Sequence, residues 1–159
     1  MVTRVRHVWL AIITLSGLIF SPRRRALVRE MRGFIRSLPT VLKAPLPAAL
    51  QHITPAAGST SETEPSVRNL ADLTALLDRQ SSLGLCLRRS LTRYHFLRRA
   101  GVPVVLQFGA KFVNGKPDRE ITGHAWLTLE GAPYYEAGEN WRGFTMMLSF
   151  PQDNSERRL

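Results

Sequence analysis

The sequence predicts an α+β fold in which helices come first and an antiparallel sheet follows. Apolar residues recur at three- and four-residue spacing up to Gly101, and strand-like segments separated by turn residues come after it. The chain has 159 residues, of which 44% are hydrophobic. This is the size of one core with extensions, and the composition excludes a disordered or collagen-like polymer.

Positive charge is concentrated in the first third of the chain. The net charge is +10, and residues 1–51 hold nine basic side chains against one acid. Residues 8–20 are an apolar run of 13, too short for a membrane span, which favours a buried helix over an interfacial membrane helix. Residues 23–36 then predict a second, basic helix.

The sequence predicts four divisions of the chain. They are a basic helical N-terminal extension (1–53), a linker or loop (54–66), a core (67–150) and a polar tail (151–159).

Local signals predict the helices. Proline residues at 39, 45 and 47 are expected to break the N-terminal helical pattern. Residues 70–77 predict a short helix with Asn69 or Asp72 near its start. The next helix is predicted to begin at an N-cap on Ser81 or Ser82 and to stop at Gly101, which places Cys86 in its first turns.

Four segments predict the strands of the sheet. They are rich in β-branched and aromatic residues and are bounded by turn signals such as Asn114-Gly115 and Glu130-Gly131. The predicted strands are residues 104–108, Ile121–Leu129, residues 132–136 and residues 144–150.

Cys86 is the single cysteine of the chain, so an internal disulfide and a cysteine-rich zinc site are excluded. A reducing compartment, the cytoplasm, fits this usage best. The four histidines lack the spacing of a helical metal site, and we expect no metal and no cofactor. Nucleic acid is not an expected partner either, because the basic segment has no interleaved aromatic residues.

Cys86 and His124 are the candidate nucleophile and base. A helix N-terminus favours a thiolate, and His124 lies on a predicted strand between small neighbours. A three-residue turn ending at Gly131 would place Glu136 directly across from His124. A two-residue turn would instead leave Glu139 as the nearest acid on that face. We favour the three-residue turn and therefore Glu136.

Three motifs resemble a known family. They are CLRRSL at residues 86–91, LRRAGVP at 97–103, and GHAW at 123–126 followed by an acid-Gly turn. Over about residues 68–140 the chain is similar to the transglutaminase-like leader peptidases of lasso-peptide biosynthesis, the microcin-processing maturation proteins. The resemblance implies a papain-like cysteine protease core. Such an enzyme removes the leader from a ribosomally made precursor before an ATP-dependent cyclase closes the macrolactam ring.

The resemblance also implies roles for individual residues. Cys86 would be the nucleophile and His124 the general base, while Glu136 stands where the family typically has an aspartate and would reach the imidazole Nδ1. Gln80, six residues ahead of Cys86, is the oxyanion-hole candidate. The basic N-terminal segment is too short for the family's winged-helix leader-recognition domain, so that domain is expected to be a separate protein.

Other interpretations stay open. The same scaffold would serve as a non-catalytic module that binds the precursor peptide and presents it to partner enzymes. The acyl-thioester of such a site would also react with an amine, which would give a transferase. The N-terminal helices would serve as a docking surface or, in a third interpretation, as a peripheral membrane contact.

Overall fold

Four helices and a four-stranded antiparallel sheet form the part of the chain that the computed structural model describes, residues 21–56, 58, 62–113, 120–136 and 138–151. The helices are α1 (Pro22–Val41), α2 (Leu46–Ile53), α3 (Glu64–Leu77) and α4 (Leu85–Arg99). The strands are β1 (Val105–Phe112), β2 (Ile121–Leu129), β3 (Ala132–Pro133) and β4 (Thr145–Phe150), in the spatial order β3-β2-β1-β4. The predicted α+β fold is confirmed. The apolar run at residues 8–20 lies outside the described residues.

Helix α1 confirms the predicted basic helix and extends beyond it. The Ser21 hydroxyl caps its start by accepting a hydrogen bond from the Arg24 backbone N–H at 3.3 Å. Pro39 was expected to break the pattern, but it lies inside the last turns and the helix continues to Val41. A proline removes one backbone hydrogen bond, and the complete burial of Leu38 beside it offsets that loss.

The N-terminal helices share one hydrophobic core with the rest of the chain. Leu27 and Met31 of α1 and Leu50 of α2 belong to the same buried cluster as Leu97 of α4 and Leu127 of β2. The division into extension, linker and core stays a prediction of the sequence. What the packing adds is that α1 and α2 cover the core that the later elements form.

Helix α3 begins earlier than predicted, at Glu64 instead of residue 70. Thr63 is its N-cap residue, and a proline occupies one of the first two helical positions, where its missing N–H costs no hydrogen bond. Neither Asn69 nor Asp72 caps the helix, because both lie in its interior.

Helix α4 begins later than predicted, with Gly84 at its N-cap position instead of Ser81 or Ser82. The Ser81 hydroxyl accepts from the Leu83 backbone N–H at 3.2 Å, which closes a local turn before the helix. The predicted end is confirmed: Gly101 has φ 82°, and its N–H donates to the Arg98 carbonyl at 3.0 Å. Cys86 is therefore the second residue of α4.

Strand β2 has the predicted bounds, but the predicted turn after it is wrong. The turn has two residues, Glu130 (φ 51°) and Gly131 (φ 77°), and it pairs Leu129 with Ala132. Positive φ at both central residues gives a primed hairpin turn, whose twist matches the strands. Strand β3 is only two residues long. The chain leaves the sheet at Tyr135, which has φ 49°.

The described residues contain no helix that is long and apolar enough to cross a membrane.

Gly109 of β1 allows close packing beside His124, its register partner on β2. A Cβ at this position would lie 2.9 Å from the Phe144 Cβ and from ring carbons of Trp126. We therefore expect Gly109→Ala to lower the free energy of unfolding by about 1–3 kcal/mol, because the added methyl must displace both the Phe144 Cβ and the ring of Trp126, which is itself buried. Urea denaturation measures the change.

Gly33→Ala is the matched control for this prediction. Gly33 lies inside α1 with nothing within 4 Å of an added Cβ. The same substitution there should raise the free energy of unfolding by about 0.5–1 kcal/mol, because alanine is the better helix former. Equal effects of both substitutions would contradict the close contact at Gly109.

Candidate functional site

Four residues of α4 lie on one side of the helix, and this side contacts the sheet. Cys86, Arg89, Ser90 and Arg93 lie at positions i, i+3, i+4 and i+7, which share a helix side. Ser90 anchors this side, because its buried hydroxyl donates to the Ala125 backbone carbonyl of β2 at 2.8 Å. Cys86 lies one turn before Ser90 and is half-buried. This hydrogen bond ties α4 to β2 one residue after His124.

The hydrogen bond from Ser90 extends the hydrogen bonding along one edge of β2 beyond the end of β3. The Leu127 carbonyl accepts from the Tyr134 backbone N–H at 2.8 Å, and two residues earlier the Ala125 carbonyl accepts from Ser90. Carbonyls two residues apart on a strand point to the same side. At Ala125, the hydrogen bond to this edge of β2 therefore comes from Ser90 of α4 and not from a neighbouring strand.

Glu136 reaches this edge from the loop after β3. Its side chain is 2% exposed. One carboxylate oxygen, Oε2, lies 2.9 Å from Arg89 Nη2 and 3.7 Å from His124 Nε2, and the other, Oε1, lies 3.9 Å from Arg93 Nη1. The structure therefore brings Glu136 beside His124, although the predicted strand register that pointed to it is wrong.

Arg93 extends this network into α3. Its guanidinium is 3% exposed and makes a double hydrogen bond with the Asp72 carboxylate. It also donates to the Tyr135 backbone carbonyl at 3.3 Å, one residue before Glu136. Two arginines of α4 and a carboxylate of α3 thus hold the loop that presents Glu136. No local sequence pattern predicts this arrangement, apart from the helical spacing of Arg89 and Arg93.

Aromatic rings surround the imidazole of His124. Its ring stacks on Trp126 with centroids 5.8 Å apart, and it lies 5.3 Å from the Phe144 ring centroid. Burial lowers the pKa of His124 below its ordinary value, and the positive charges of Arg89 and Lys111 act in the same direction. The Glu136 carboxylate opposes them. The site thus favours an uncharged imidazole, which is the form that accepts a proton.

His124 Nε2 is the ring nitrogen that faces Glu136, where Nδ1 had been expected. At 3.7 Å the separation from Oε2 is longer than a hydrogen bond. Within the described part of the chain, His124 Nε2, Glu136 Oε1 and Arg89 Nε are buried without a hydrogen-bond partner. Because Nε2 faces Glu136, Nδ1 is the ring nitrogen that would exchange a proton with another group.

The two remaining predicted residues lie outside this network. Glu139 forms an exposed ion pair with Arg142 at 2.6 Å. Gln80 is exposed in the turn between α3 and α4, and its role in an oxyanion hole stays a prediction. The described residues contain no group of three or more metal-ligating side chains.

The model of the transglutaminase-like superfamily matches residues 24–149, from the first turn of α1 to the end of β4. The chain belongs to the transglutaminase-like superfamily. This superfamily includes cysteine proteases and transglutaminases. Curated proteins and solved structures give no match to the chain. The matched range includes α1 and α2 as well as the later elements.

Charge changes around His124 should shift its pKa in opposite directions. Glu136→Gln removes the negative charge that favours the imidazolium, so we expect the pKa of His124 to fall further. Arg89→Gln removes a positive charge and frees the carboxylate for the imidazole, so the pKa should rise. An NMR titration of the imidazole protons measures both shifts.

Arg142→Gln is the control for this titration, because Arg142 pairs with Glu139 on the surface and should leave His124 unchanged. The His124 signal is assigned by its loss in a His124→Gln variant. Shifts of the same sign in the Glu136 and Arg89 variants would contradict the arrangement.

Proposed function

We propose that the chain is a cysteine peptidase that removes the leader peptide from a ribosomally synthesised lasso-peptide precursor before macrolactam cyclisation. One observation carries the proposal. Ser90, four residues after Cys86, bonds to the carbonyl of the residue after His124, and Glu136 lies beside the imidazole. The motifs CLRRSL and GHAW, which suggest this peptidase family, are the segments that meet in this contact.

The reaction follows from these groups. His124 accepts the thiol proton of Cys86, and the sulfur attacks the carbonyl carbon of the scissile peptide bond. The tetrahedral intermediate then breaks its carbon–nitrogen bond, and His124 gives the proton to the leaving amine. Water, deprotonated by His124, hydrolyses the resulting thioester and regenerates the thiol. The leader leaves with a new carboxylate, and the core peptide leaves with a free amine.

Glu136 would act through His124. A negative charge beside Nε2 favours the imidazolium that forms when the thiol loses its proton. Arg89 would hold that carboxylate in place, because Arg89 Nη2 donates a hydrogen bond to Glu136 Oε2 at 2.9 Å. Burial lowers the pKa of His124 and the Glu136 carboxylate offsets part of that lowering, so the imidazole is uncharged before the reaction and its charged form is stabilised during it.

The proposal implies partners. A separate winged-helix protein would hold the leader, and an ATP-dependent cyclase would consume the core peptide with its new amine. Both partners and the precursor are expected in the cytoplasm, in keeping with a single reduced cysteine.

The test uses the full chain with a lasso precursor encoded beside it and the matching leader-recognition protein, with fragments identified by mass spectrometry. Cys86→Ala should abolish cleavage while the precursor still binds. His124→Gln should slow cleavage on the order of 10²–10⁴-fold, because general base catalysis is lost.

Ser82→Ala is the matched control, since Ser82 is exposed before α4 and should leave the rate unchanged. Cleavage by the Cys86→Ala variant would overturn the proposal. Binding of the precursor by the unaltered chain without any cleavage, and no reaction of Cys86 with a peptide aldehyde, would instead identify a non-catalytic presenting module.

A further inference from the structure

Helix α1 carries arginines along one exposed side. At 3.6 residues per turn, Arg25, Arg29, Arg32 and Arg36 fall within an arc of about 60° on the helix surface. All four are exposed. We call this set the arginine stripe. It extends over roughly 16 Å of the helix at 1.5 Å per residue.

The stripe turns away from the core. The buried side of α1 packs toward α3 and α4 through a separate set of apolar residues: Leu27, Met31, Ile35 and Leu38. The exposed residues next to the stripe have short side chains: Pro22, Ala26, Gly33, Ser37 and Thr40. The arginine side chains are therefore the longest groups on this surface.

In the part of the chain that the structure describes, the carboxylates near α1 leave Arg29, Arg32 and Arg36 of the stripe without an ion pair. Glu30, the single acid of α1, pairs with Arg99 of α4, and Glu62 pairs with Arg24. Among the described residues, no ion pair joins Arg29, Arg32 or Arg36 to a carboxylate. Their positive charge stays available to an external partner.

We propose that the arginine stripe docks the chain on the anionic surface of a membrane. The exposed side of a helix is convex and offers no groove for a peptide, whereas a row of arginines suits a plane of lipid phosphates. The sequence before α1 adds apolar groups to the basic ones, since residues 8–20 are mostly apolar, with Thr14 and Ser16 as polar exceptions, and Arg4 and Arg6 precede them. Basic and apolar groups in succession are typical of segments that bind at a bilayer surface.

Docking in this orientation leaves the candidate site accessible. The stripe faces away from α3 and α4, while the side of α4 that carries Cys86 turns toward β2. A bilayer beneath α1 is thus separated from the site by the helix layer.

The experiment is co-sedimentation of the full chain with vesicles of phosphatidylcholine, with and without phosphatidylglycerol. The chain should bind the anionic vesicles, and added salt should weaken binding. The variant R29Q/R32Q/R36Q should lower the partition coefficient about a hundredfold, because each basic residue near the surface contributes about fivefold. Glutamine keeps the helix propensity, and circular dichroism verifies the fold.

The variant K43Q/R79Q/R142Q is the matched control, because it removes three exposed basic side chains that lie outside α1 and should bind nearly as well as the unaltered chain. Equal loss in both variants, or equal binding to vesicles without phosphatidylglycerol, would overturn the proposal. Binding to polyglutamate through the stripe, without binding to vesicles, would overturn it as well and identify an acidic peptide as the partner. The assay does not depend on peptidase activity.

Discussion

The candidate site is organised around a negative charge that is removed from solvent. A carboxylate that is 2% exposed is stable as an anion only when charged and hydrogen-bonding groups replace the lost water. Arg89 supplies a hydrogen bond to Glu136, and Arg93 supplies a second positive charge nearby. Because Arg93 is itself fixed by Asp72, the position of the carboxylate depends on α3 and α4 together. The imidazole of His124 is placed against an already ordered anion.

Helical periodicity explains why the CLRRSL motif is a structural unit. Cys86, Arg89 and Ser90 share one side of α4, so one short segment supplies a thiol, a partner for the buried carboxylate and an anchor to the strand. Leu91 lies fully buried in the core, which fixes the rotation of the helix. A change in that rotation would move all three functional positions together.

Local signals in the sequence were sufficient for the fold class, but only partly for the bounds of the elements and for the site. Strand β2 and the end of α4 at Gly101 follow from alternation and turn chemistry, and both match the structure. The turn at Glu130 was assigned the wrong length, because glutamate is an unusual residue for a left-handed position and its conformation depends on the whole hairpin. The contact between Arg93 and Asp72 joins residues 21 positions apart through packing of two helices, and no local pattern encodes it.

The acid next to the imidazole belongs to a loop and not to a strand. Strand β3 stops after two residues, and the left-handed backbone at Tyr135 redirects the chain before Glu136. The distance from the backbone of residue 136 to His124 therefore depends on the conformation of the loop. It is not set by the fixed spacing between paired strands. Exchange between glutamate and aspartate could be compensated by small changes in the loop backbone, with the sheet left intact. The length of the acidic side chain and the sequence of the hairpin can then change independently of each other.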